Sequence, residues 1–199
     1  MIDNFEQIKT LIKFSESDKL FCHLQIIRRG KDHPNLPAAN WTIKQWLVKS
    51  AEHLDKLKED IVFLCEHYKA RAYINVTPKS LAKLSTLIMR KLADNLHTGN
   101  IINPYNIFSS ACGELHGVEK LWLVDIDNLS TLYIEIKDFI INLRRDSGQE
   151  YYPITEIKTK NGVHLLTRPF NLQEFQHRYE GIDVHKNNPT ILYIPDSLK

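Results

Sequence analysis

The chain has 199 residues, 43% of them hydrophobic and 25% charged, enough apolar side chain for one domain or two closely packed lobes. Its formal net charge of +2 is too small to mark a nucleic-acid binder by itself, although basic residues gather at Arg28, Arg29 and Lys31 and again at Lys158 and Lys160. No run of about 18 apolar residues occurs, and MIDNFEQIKTLIKF lacks the pattern of a secretory signal, so neither a membrane partner nor export is expected and a cytoplasmic location is the default.

Taken in chain order, Phe21 to Arg28 reads as a strand, and Ala51, Leu54, Leu57, Ile61, Leu64 and Tyr68 recur at helical spacing before a short strand from Ala72 to Val76. Thr77 and Pro78 suit the N-cap and first position of a helix whose apolar face is Leu81, Leu84, Leu87, Ile88 and Leu92. From His97 to His116, around Asn103-Pro104, the pattern dissolves and a long loop is expected. Residues 1–118 thus read as an N-terminal α/β module.

The second half is more regular. Leu121 to Ile126 is a nearly continuous apolar run, as in a central strand. Leu129, Leu132, Tyr133, Ile136, Phe139, Ile140 and Leu143 mark a long amphipathic helix. Ile154 to Lys160 and Val163 to Arg168 are strand-like and flank Asn161-Gly162, a strong hairpin signal. A short helix near Leu172 to Tyr179 precedes a strand region from Ile182 onward. The order β-α-β-β-α-β is that of the ferredoxin-like, or RRM-like, unit. The fold class expected is therefore α+β, with residues 119–199 as an RRM-like unit packed on the N-terminal module as one domain.

In such a unit the strands lie in the order 4-1-3-2, so the end of the first strand neighbours the starts of the third and fourth. This gathers Asp125, Asp127, His164 and Asp183 at one sheet edge. Side chains two apart on a strand share a face, so Asp125 and Asp127 project together while Ile126 points the other way. Clustered carboxylates repel one another unless a cation joins them or their pKa values rise. Mg²⁺ or Mn²⁺ suits their hard oxygens, and a pair of such ions about 4 Å apart can stabilise an in-line phosphoryl displacement. His164 is expected near the phosphates as a hydrogen-bond donor.

Val124-Asp125-Ile126-Asp127, Gly162-Val163-His164 and Ile182-Asp183 resemble, in this order, the apolar-Asp-apolar-Asp, small-x-His and apolar-Asp motifs of the archaeo-eukaryotic primase superfamily. Lys160-Asn161-Gly162-Val163-His164 also resembles the Lys-x-small-x-His pattern of its small primase-polymerases. The resemblance covers mainly residues 119–186, with Ala72 to Val76 similar to an early strand of the family's preceding module. It implies template-directed joining of nucleoside triphosphates on single-stranded DNA or RNA, with catalytic Asp125, Asp127 and Asp183 holding Mg²⁺ or Mn²⁺ and with Lys160 and His164 contacting the triphosphate. The chain departs from fuller members in lacking zinc-binding cysteines and a helicase domain, so a helicase or other replication protein is an expected partner.

Other readings compete at single positions. Asp127 could cap the following helix, and His185 could replace Asp183 as the functional group. Cys22, Cys65 and Cys112 form no metal or disulfide pattern, and nothing orients Cys112 and His116 as a nucleophile and base. Trp41, Trp46 and Trp122 read as packing residues rather than base-stacking platforms. At the level of function, a metal-dependent nuclease or phosphohydrolase and a non-catalytic nucleic-acid-binding replication module remain the alternatives.

Overall fold

Strand-forming runs and helix caps divide the chain into β1 (Ile2–Asp3), α1 (Phe5–Leu11), β2 (Leu20–Arg28), β3 (Trp41–Val48), α2 (Ala51–Tyr68), β4 (Arg71–Ile74), β5 (Lys79–Ser80), α3 (Leu81–His97) and α4 (Pro104–Glu114). There follow β6 (Trp122–Ile126), α5 (Leu132–Asp146), β7 (Thr155–Lys158), β8 (Val163–Thr167), α6 (Leu172–Arg178), β9 (Asp183–His185) and β10 (Thr190–Ile194). The computed structural model describes residues 1–14, 19–33, 39–99, 103–127, 132–149 and 151–198. The architecture is mixed α+β, and every ladder among the described residues is antiparallel.

The larger sheet runs β1-β10-β4-β2-β3, with β5 also paired to β2, and the smaller one runs β7-β8-β6-β9. Counting β6 to β9 as first to fourth, the smaller sheet has the 4-1-3-2 order expected from the sequence. The chain beyond β9 does not stay there. β10 pairs with β4 and β1 of the larger sheet, so the stretch 119–199 contributes to both sheets.

Two local expectations change, and two further features add to the sequence reading. The segment expected as a loop contains α4, because the Asn103 side chain accepts from Tyr105 N, Pro104 occupies the first turn, and Ile107, Ala111 and Cys112 are buried. The helix expected from Thr77 begins at Leu81. Lys79 and Ser80 pair with Phe21 and Leu20, and Ser80 Oγ accepts from Lys83 N. Trp41–Val48, not singled out in the sequence, is the strand beyond β2. The hairpin lies where Asn161-Gly162 signals it, but neither residue has the positive φ of a type I′ turn. Gly162 is needed for another reason: a Cβ there would stand 1.7 Å from the Ile126 carbonyl oxygen. The expectation for Leu129 lies outside the described residues, as does the chain from 128 to 131 that would test Asp127 as a helix cap.

Parity sorts the smaller sheet's side chains. Val124, Ile126, Val163 and Leu165 pack against Ile136 and Ile140 of α5 and Phe175 of α6. Leu123, Ile157 and Leu166 join the core of the larger sheet with Leu24, Ile26, Ala72 and Ile74. Burying each large aliphatic contributes about 1.5–3 kcal/mol, so both faces are anchored. Asn4, just before α1, ties the sheets together, since its Nδ2 donates to Lys158 O and to Ile191 O, each at 3.0 Å. On the face that carries Leu123, the pattern turns polar at Asp125 and Asp127, and there the sheets enclose a cleft.

Candidate functional site

The acidic wall of the cleft is set by ladder register. Asp125 is paired with His164 on one side and with Asp183 on the other, and directly paired residues of antiparallel strands share a face. Asp127 follows two residues later on that face. The enclosed volume is about 490 Å³, and Asp125, Asp127, His164 and His185 line it from the smaller sheet. Asp183 is exposed and is not among the residues that line it, whereas His185, paired with Leu123, is.

The turn between β7 and β8 supplies Lys160. Thr159 N donates to Gly162 O at 3.0 Å, and Gly162 N donates to Thr159 Oγ1 at 3.1 Å, which leaves Lys160 and Asn161 at the tip. Both line the cleft. The approach of Gly162 to Ile126 O sets this tip beside the end of β6, where Asp127 emerges.

The larger sheet supplies the opposite wall. Ile27, Arg71, Tyr73 and Ile191 line it, with Arg29, Lys31, Asp32 and Asn40 from the connection after β2. Arg71 Nη2 is paired with Asp32 Oδ1 at 2.5 Å, both side chains being 7% exposed. Arg29 Nη1 donates to Tyr73 OH at 3.4 Å. With Arg71 neutralised by Asp32, Arg29 and Lys31 provide this wall's positive charge facing Asp125 and Asp127.

Burial raises the pKa of Asp125, the charges of Asp127 and Asp183 raise it further, and His185 and Lys31 oppose them. Burial, assisted by His185, pushes His164 down to about 4, so its ring is neutral near pH 7. The 3.5 Å approach of His164 Nε2 to Asp125 Oδ1 is therefore a contact between a neutral ring and a carboxylate, not an ion pair. The other ring nitrogen, Nδ1, lies 2.8 Å from Thr190 Oγ1.

Among the described residues no three of His, Cys, Asp and Glu form a group able to hold a metal ion by themselves, so the expected trio of Asp125, Asp127 and Asp183 is not assembled. The donor chemistry nevertheless fits Mg²⁺ or Mn²⁺. Mg²⁺ commonly takes one or two carboxylates and completes its shell with water and substrate phosphate. Asp125 and Asp127 offer such a pair, and the mutual repulsion at Asp125 is the field a cation would satisfy.

Of the residues read from sequence, Asp125, Asp127, His164 and Lys160 converge, together with Arg29 and Lys31 of the first basic cluster. Cys112 is buried and its thiol pushed up to about 11, which leaves it inert as a nucleophile, whereas His116 is exposed. Trp41, expected to pack inside, is 61% exposed. Arg71 and Tyr73 were not read as cleft residues, although their alternation with Ala72 and Ile74 is the signal that could have placed them on a polar face. Scanned against models of protein families, curated proteins and solved structures, the chain gives no significant match.

Proposed function

We propose that this chain is a nucleotidyltransferase of the primase-polymerase type, joining nucleoside triphosphates on a single-stranded DNA or RNA template. The observation that carries the reading is the two-sided cleft, with carboxylates Asp125 and Asp127 on one wall, Arg29 and Lys31 on the other and Lys160 at the hairpin tip. A metal-bound triphosphate has that complementary character, cation at one end and phosphate oxygens around it. The order of the smaller sheet, with α5 and α6 on one face, supports an RRM-like catalytic unit of the kind the family resemblance implies.

In this reading Asp125 and Asp127 hold Mg²⁺ or Mn²⁺, which would neutralise charge on the attacking and leaving oxygens of the displacement. Lys160, Arg29 and Lys31 orient phosphate oxygens by charge-assisted hydrogen bonds. His164, neutral and fixed, adds a directional donor without adding charge. Asp183 contributes its field at Asp125 rather than a ligand atom.

Labelled-nucleotide incorporation on single-stranded templates, primed and unprimed, tests the proposal. The wild type should incorporate nucleotide only with Mn²⁺ or Mg²⁺, and Asp125→Ala/Asp127→Ala should lose incorporation while keeping its unfolding transition. Equal activity in the double variant would sink the reading, as would degradation of labelled strands without triphosphate, which belongs to a nuclease.

A further inference from the structure

His164 sits on β8 of the smaller sheet, yet the partner of its Nδ1 belongs to the larger one: Thr190, the first residue of β10, with Oγ1 at 2.8 Å. Thr190 is 1% exposed and His164 8%, so the contact is sheltered from water. Two proton arrangements are open to a neutral ring. Either the hydroxyl donates to Nδ1 and the ring proton is on Nε2, or Nδ1–H donates to the hydroxyl and Nε2 is bare. The far nitrogen decides between them. Nε2 lies 3.5 Å from Asp125 Oδ1, where a bare lone pair would face a carboxylate oxygen, while an N–H presents the positive end of its dipole.

We infer that Thr190 is a positioning residue for His164: its hydroxyl donates to Nδ1 and holds the ring as the Nε2–H tautomer, with that N–H turned into the cleft. Asp125 is too distant to accept it well, so the donor stays available to an anionic oxygen entering between the sheets. Because Thr190 and His164 stand on different sheets, the hydrogen bond also makes the ring's aim depend on how the sheets are docked. Only the catalytic consequence rests on the proposed function; the tautomer stands apart from it.

The experiment is a ¹⁵N spectrum of the histidine rings in the whole chain at pH 7.5, with His164 identified among nine histidines by the signals lost in His164→Gln. The wild-type ring should be protonated on Nε2 alone, with Nδ1 shifted as a hydrogen-bond acceptor. Thr190→Val should move Nδ1 to the position of an unbonded nitrogen, and Thr190→Ser should restore it. In nucleotide incorporation, Thr190→Val should lower kcat about tenfold or more with little change in KM, with serine rescuing, the scale typical of lost outer contacts that orient a ligand. A wild-type ring protonated on Nδ1, or a Thr190→Val spectrum identical to wild type, overturns the inference. The wild-type spectrum decides the tautomer even if the valine variant does not fold. If the wild type incorporates no nucleotide, the proposed function fails while the spectra still judge Thr190.

Discussion

Burial decides what His23 can do in this molecule. Its ring is 3% exposed, Nε2 meets Gln45 Oε1 at 2.7 Å, and desolvation, only partly opposed by that hydrogen bond, pushes its pKa down to about 4. The unfolded chain protonates near its ordinary value of about 6.5, so between these values the unfolded state binds more protons. Stability is therefore full above about pH 6.5 and declines as pH falls toward 4. For one such histidine the gap corresponds to about 3 kcal/mol. His164, also held near 4 by burial, loads the same acid limb. Urea midpoints measured from pH 7 to 4 should fall steeply, and His23→Gln should flatten part of that slope; an unchanged slope would place the titration elsewhere.

At the scale of elements, the segments legible in the sequence are those whose pattern is set by their own packing. The parity of β6, with Val124 and Ile126 on one face and Leu123 on the other, and the helical stripe of α5 are local patterns, so Asp125, Asp127 and His164 could be placed together. Segments settled by distant partners were not legible. β10 leaves the smaller sheet for β4, 116 positions back from Thr190 to Ile74, a pairing no local pattern encodes. α4 is written in Asn, Ser and Gly, poor helix formers, and is held by Asn103 at its start and by packing against α3. Asn4 belongs to the same class: a surface-looking residue whose amide joins both sheets. Asn4→Ala leaves two carbonyls without that donor and should cost about 2 kcal/mol. Hydrogen exchange should quicken in β7 more than in β2. A uniform loss of protection would show that Asn4 matters to stability but not to docking of the sheets.

For the whole molecule, a net charge of +2 gives little long-range pull on a polyanion, so binding must come from where the charges stand. Two basic clusters look alike in sequence, and the fold divides each of them between the cleft and its outside. Arg29 and Lys31 enter the cleft with Lys160, while Lys158 is exposed outside it. Screening over about 8 Å at physiological salt isolates such groups from one another, which makes location decisive. Charge-assisted hydrogen bonds contribute about 1.5–3 kcal/mol, and 1.4 kcal/mol is about tenfold in affinity. Calorimetric titration with a nucleoside triphosphate and Mn²⁺ should therefore show Arg29→Ala/Lys31→Ala, which removes two such bonds, weakened about 100-fold or more, with stability changed by less than about 1 kcal/mol. Lys158→Ala should bind as the wild type does. If the Lys158 variant were weakened as much as the cleft variant, general positive charge would explain the binding. The two walls would then have no special claim on the phosphates.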